Sequence, residues 1–185
     1  PNTAPVINAL SGNSVELKPH ETIGLEYGCS DPDGHFYTIE LEPGSEAAVL
    51  DTLVRDKPII RITGANAASG TYTARLTVTD IYGASTSAEA EYTILENHEP
   101  YVAKNFENLV FSSRNNGTIV FPASDYFKDD DGEQLAYTIE ISDPSVLNMT
   151  YAKGNFNLTT MNYGYCDVTV TGTDVRGASA SQAFK

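Results

Sequence analysis

The feature that most constrains this chain is an internal repeat. Asn2-Thr3-Ala4-Pro5 recurs as Asn97-His98-Glu99-Pro100, and Asp31-Pro32-Asp33-Gly34 as Asp129-Asp130-Asp131-Gly132. Tyr37-Thr38-Ile39-Glu40-Leu41 returns as Tyr137-Thr138-Ile139-Glu140-Ile141. Thr79-Asp80-Ile81-Tyr82-Gly83-Ala84-Ser85 returns as Thr173-Asp174-Val175-Arg176-Gly177-Ala178-Ser179. The four matches keep their order at offsets of 94 to 100 positions, so 185 residues divide into two copies of one small unit. The boundary is placed between residues 96 and 97, giving repeats 1–96 and 97–185.

Each copy is patterned for strands. Over Thr71–Thr79, Tyr72, Ala74, Leu76 and Val78 fall on one face, and Thr71, Thr73, Arg75 and Thr77 on the other. A period of two with small polar residues outside describes a half-buried antiparallel strand. Cys166, Val168 and Val170 align to the inward positions of the second copy. Further strands are predicted at 5–10, 14–18, 22–28, 36–42, 58–63 and 84–95. In the second copy they are predicted at 101–103, 107–112, 117–121, 135–142, 147–152, 156–160 and 177–184. About seven short strands per copy, separated by turn residues, is the signature of a sandwich. The fold class is therefore all-β: two tandem Ig-like antiparallel β-sandwiches. The short junction from Leu95 to Pro100 is expected to limit flexing between the repeats, since proline fixes one backbone dihedral.

Charge excludes some functions. With 25 acidic against 11 basic residues the net charge is −14, which repels a phosphate backbone and excludes nucleic acid as a partner. No apolar run approaches the length of a membrane span, so no direct membrane insertion is expected. Cys29 and Cys166 fall in different repeats and are read as free buried thiols, which leaves the redox compartment open. Lys185 aligns with Glu91, so the last strand of the second copy is expected to be truncated and the natural protein to continue.

These motifs together resemble bacterial cadherin-like and PKD-like Ig domains. The first repeat carries Asn-x-x-Pro-Val-Ile, Ser30-Asp31-Pro32-Asp33-Gly34, Gly70-Thr71-Tyr72-Thr73-Ala74 and Leu76-Thr77-Val78-Thr79-Asp80. Its Tyr72 occupies the tyrosine-corner position. The second carries Asp125-Tyr126-Phe127-x-Asp129-x-Asp131-Gly132-x-x-Leu135-x-Tyr137, which is similar to dystroglycan-type cadherin-like domains. Cys166 replaces the corner tyrosine there, so that anchor is either missing or moved to Tyr163 or Tyr165. Neither repeat has the Cys pair of antibody domains, and tryptophan is absent from the chain.

The resemblance implies an extracellular, cell-surface location, a role in cell adhesion or in spacing and presentation, and calcium as a possible cofactor. Carried over from cadherins, a calcium set comprises Asn97 and Glu99 of the linker, Asp129 and Asp131 of the B–C loop, and Asp174 of the F–G loop. The matching pole of the first repeat offers Asn2, Asp31, Asp33 and Asp80. A hard cation takes six to eight oxygens, which such a set supplies with water. The competing reading is that Asp-x-Asp-Gly and Thr-Asp-x-x-Gly are ordinary turns, with aspartates bonding local N–H groups. The acidic spacing and glycine position do not match an EF-hand loop.

Catalysis is not expected. His20, His35 and His98 are isolated in sequence and read as solvated loop residues, and no nucleophile elbow, Walker loop or dinucleotide fingerprint is present. The chain is read as a non-enzymatic module, monomeric in isolation, with a protein or glycan on a cell surface as partner. An alternative is a carbohydrate-binding accessory module, suggested by Tyr151, Phe156, Tyr163 and Tyr165 in a stretch rich in Asn and Thr. The same aromatics also suit a sandwich core. The sequons at Asn116, Asn148 and Asn157 have meaning only on a eukaryotic secretory route.

Overall fold

A computed structural model describes residues 1–111 and 118–185. The chain forms two compact units, Pro1–Asn97 and His98–Lys185. Each unit has a core of its own, so each is described by itself.

Unit 1 contains eight strands: β1 (Val6–Ala9), β2 (Ser14–Leu17), β3 (Thr22–Ser30), β4 (Tyr37–Glu42), β5 (Ala48–Asp51), β6 (Ile59–Thr63), β7 (Gly70–Asp80) and β8 (Ser85–Ile94). They make two four-stranded sheets, ordered β1-β3-β6-β5 and β2-β8-β7-β4. All pairs are antiparallel except β2 and β8, which run parallel from Ser14 opposite Glu91 to Leu17 opposite Ile94. Two such sheets face to face form an Ig-like sandwich. The alternation along β7 follows the sequence: Ala74, Leu76 and Val78 are buried, whereas Thr71, Thr73 and Arg75 are exposed. The inward residues of both sheets, among them Tyr27, Ile60, Ile62, Leu76 and Tyr92, lock the sheets together without exposure to solvent. Burying a large apolar side chain this completely stabilises the fold by roughly 1.5–3 kcal/mol.

Tyr72 forms the tyrosine corner that its position implies. Its hydroxyl donates to the carbonyl of Ala68, 2.9 Å away and four residues upstream. The ring stacks on Tyr92 of the neighbouring strand with centroids 5.4 Å apart. Gly44 closes the turn after β4 with φ of +74°, where the backbone of Thr73 leaves no room for a Cβ.

Unit 2 is built from β9 (Tyr101–Val102), β10 (Thr118–Pro122), β11 (Phe127–Lys128), β12 (Ala136–Ile141), β13 (Leu147–Ala152), β14 (Asn155–Thr160), β15 (Val168–Thr173) and β16 (Ser179–Phe184). Its sheets are β10-β14-β13 and β12-β15-β16, with a short β11-β9 ladder. A four-residue helix, α1 (Ala123–Tyr126), joins β10 to β11. The core is more aromatic than that of unit 1: Phe106 stacks on Tyr126 at 4.1 Å and meets Phe121, Phe156 and Phe184.

The structure differs from the sequence expectations at several points. The strand expected at 107–112 does not form over its described part, 107–111, where Leu109 instead bonds the carbonyl of Lys185. Strand β5, α1 and β11 were not predicted. Cys166 lies ahead of β15 and is half-buried, with its sulfur 3.6 Å from the carbonyl of Asp143. Tyr163 and Tyr165 are 73% and 101% exposed, so neither takes over the missing corner anchor. Position 117 and the sequon asparagine at 116 lie outside the described residues.

Candidate functional site

The two loops that follow β3 and β7 meet at one pole of unit 1. Asp31, just past β3, folds its loop by accepting from the N–H groups of Asp33 and His35 through Oδ1, at 2.8 and 3.1 Å. Gly34, at φ +74°, lets the chain turn back so that its N–H reaches the Asp31 carbonyl. Asp80 ends β7 and repeats the device: Oδ1 accepts from the N–H groups of Tyr82 and Ala84 at 2.8 and 3.0 Å. Asn2 Nδ2 donates to Asp80 Oδ2 at 2.7 Å, and Thr3 N–H donates to Asp33 Oδ2. Asn2 and Asp33 thus strap the N-terminal segment to the pole.

The loop fold brings a third side chain in. His35 lies with its ring 26% exposed and its Nδ1 3.8 Å from Asp31 Oδ1, while the Asp31 side chain is 1% exposed. The imidazole packs edge-on against Tyr82, with ring centroids 4.8 Å apart. One ligand atom from each of Asp31, His35 and Asp80 lies within 4.8 Å of the others. Burial pushes the Asp80 carboxyl up, but the hydrogen bonds from Asn2, Tyr82 and Ala84 outweigh it and leave the group below the usual aspartate range.

Unit 2 repeats the pole with one exchange. Asp129, Glu133 and Asp174 bring ligand atoms within the same 4.8 Å. Glu133 stands where His35 stands in the first repeat. Asp129 Oδ1 accepts from Asp131 N–H, Asp174 Oδ1 from the N–H groups of Arg176 and Ala178, and Glu133 Oε1 from Val175 N–H. Burial raises the Asp129 carboxyl, and the neighbouring carboxylates of Asp131, Asp174 and Asp130 add to the rise.

The calcium set inferred by resemblance is rearranged. Asp129 and Asp174 come together, whereas Asp131 turns its oxygens to His98, receiving the backbone N–H and meeting ring Nδ1, both at 2.8 Å. Glu99 is exposed and outside the cluster, and Asn97 belongs to unit 1. In the first repeat Asp31 and Asp80 cluster, while Asn2 and Asp33 serve as straps. His35 and Glu133 were overlooked because each is isolated in sequence. The signal was present: they occupy the same place in the repeat, four residues after Asp31 and Asp129.

The aromatic stretch of unit 2 divides in two. Phe156 is fully buried, and Tyr151 packs on it and on Tyr137, so both belong to the core and its rim. Tyr163 and Tyr165 instead line an open cavity of about 730 Å³ with Asn108, Asn162 and Asp167.

No family model matches the chain, and no curated protein does. Among solved structures, the endo-fucoidan hydrolase MfFcnA4 of glycoside hydrolase family 107 is similar, with a TM-score of 0.49 and 18% identity over 98% of this chain. The chain spans 28% of the length of that hydrolase. A chimeric titin Z1Z2 carrying a decorin peptide gives 0.48 at 10% identity, over 100% of this chain and 96% of its own. The N-terminal Ig1-2 module of the Drosophila receptor tyrosine phosphatase DLAR gives 0.38 at 10%, over 98% and 97%. Each is a remote likeness of the chain trace.

Proposed function

We propose that the chain is a non-enzymatic tandem module that spaces or presents the binding region of a cell-surface protein. The observation that carries this reading is the pole built twice. In both repeats the pole aspartates turn one oxygen to the backbone N–H groups of their own loops, two each for Asp31, Asp80 and Asp174 and one for Asp129. A carboxylate held by two backbone N–H groups is a structural anchor, because those bonds favour its charged form and fix its place. The acidic surface suits a crowded exterior, where like charge keeps neighbouring copies apart. Replacing residues 1–185 in the host surface protein by an unrelated pair of sandwiches of the same length tests the role. Partner binding is expected to survive the exchange, and its loss would refute a pure spacer.

A second reading rests on the cavity of unit 2. Exposed tyrosines beside amide and carboxylate groups are the chemistry that stacks on sugar rings and reads their hydroxyls. A glycan array probed with the wild-type chain and with Tyr163→Ala separates the two. Binding that the substitution abolishes would establish a glycan-binding module and displace the spacer.

A further inference from the structure

The pole of unit 1 holds two buried polar atoms without partners. Asp31 Oδ2 and His35 Nδ1 are both closed to solvent, and neither has a hydrogen-bond partner. Nδ1 lies 3.8 Å from Asp31 Oδ1, too far for a hydrogen bond to join them. Asp80, 5% exposed, brings a second carboxylate to the same point. Two buried carboxylates and a ring nitrogen gathered this closely form a donor set that a bound cation would satisfy. We propose that the first repeat binds a divalent transition-metal ion of the zinc class through the Asp31 carboxylate, His35 Nδ1 and the Asp80 carboxylate, with water as fourth ligand.

The dimensions and the chemistry agree with that ion. Tetrahedral zinc takes nitrogen and oxygen ligands at about 2.0–2.2 Å, which places neighbouring donors about 3.3–3.6 Å apart. The observed 3.8 Å and the 4.8 Å limit close to this with a small movement of His35, whose side chain is partly open to solvent and packs edge-on against Tyr82. The backbone N–H groups on Asp31 and the Asn2 amide on Asp80 form the outer shell that orients ligating carboxylates. Imidazole selects zinc-like ions over calcium and magnesium, which prefer oxygen alone. The second repeat supplies the contrast: Glu133 makes its cluster all-oxygen, and Arg176 replaces Tyr82 in the F–G turn with a fixed positive charge. This ion site is independent of the spacer role and stands or falls without it.

The test uses the whole chain and zinc alone. In long-range ¹H–¹⁵N spectra, zinc is expected to shift the ring nitrogens of His35 and saturate at one equivalent, with His20 and His98 unmoved. Calcium at the same concentration leaves His35 unmoved. By calorimetry, His35→Gln weakens zinc binding at least tenfold, and Asp129→Asn changes it less than twofold. The proposal is overturned if millimolar zinc leaves His35 unshifted, if the shift appears on His20 or His98 instead, or if His35→Gln binds zinc as wild type does. The spectral readout needs no substitution, so a poorly folded variant does not protect the proposal.

Discussion

Tyr92 offers a sharp test of how the first sandwich is held together. The side chain is fully buried, and its hydroxyl donates to the Pro43 carbonyl at 2.7 Å while meeting Ser45 Oγ, also at 2.7 Å. Those two residues lie in the loop after β4, so one hydroxyl ties strand β8 to the far edge of its sheet. Tyr92→Phe keeps the ring and its stacking on Tyr72 and removes only this tie. Each hydrogen bond contributes about 1 ± 0.5 kcal/mol, and a buried partner left unmatched costs about 1–3 kcal/mol. Pro43 is exposed and Ser45 half-buried, so water can restore part of what is lost. The expected destabilisation is therefore about 2 kcal/mol, confined to unit 1. For a domain of this size that lowers the melting temperature by roughly 10 °C. Because two units need not unfold together, the measurement is a urea titration followed by residue-resolved NMR, which reads each core separately. Ser45→Ala completes a double-mutant cycle, and the two changes should be non-additive. A loss below about 0.5 kcal/mol, or an equal loss in unit 2, refutes the reasoning.

Other substitutions probe the turns and the pole. Gly44→Ala should destabilise unit 1 by about 3 kcal/mol or more in the same titration, since it combines a positive φ with a backbone clash. Asp80 carries a carboxyl held below its ordinary value, so its contribution is present above the ordinary aspartate pKa and fades as pH falls through the lower folded value. Asp80→Asn should flatten the acid limb of unit 1 stability in a pH series. His98 behaves in the opposite sense: the hydrogen bond to Asp131, then its charge, raises the imidazole pKa. Its contribution is complete below about pH 6.5 and fades as pH rises through the higher folded value. Asp131→Asn should remove that dependence, and salt should weaken it, because the ring is largely exposed.

Much of the fold was legible because burial imposes a period on a strand. Strand β7 could be read face by face from Tyr72 to Val78, since its inward residues are buried or half-buried while their neighbours Thr71, Thr73 and Arg75 are exposed. The tyrosine corner was legible only through the resemblance that placed Tyr72 there, and the structure shows its hydroxyl reaching the Ala68 carbonyl. Strand β5 escaped detection. Strand β5 has only four residues and pairs on one side, so packing imprints little on Ala48–Asp51. The pole was half legible. Aspartates at 31, 80, 129 and 174 announce themselves by turn chemistry, but His35 and Glu133 reach the cluster only through the path of the loop. The fate of Asp131 was hidden for the same reason: its partner, His98, lies 33 residues earlier.

The parallel pairing of β2 with β8 bears on how the first repeat carries load. One strand lies near the entry of the chain and the other near its exit, and both run the same way. Tension between the two ends then pulls β2 backward and β8 forward along their common axis. Shear of this kind loads the whole ladder at once, from the Glu91 N–H on Asn13 to the Leu95 N–H on Leu17, whereas an antiparallel edge would unzip bond by bond. Pulling on the two ends of this repeat would therefore have to break that ladder as a whole.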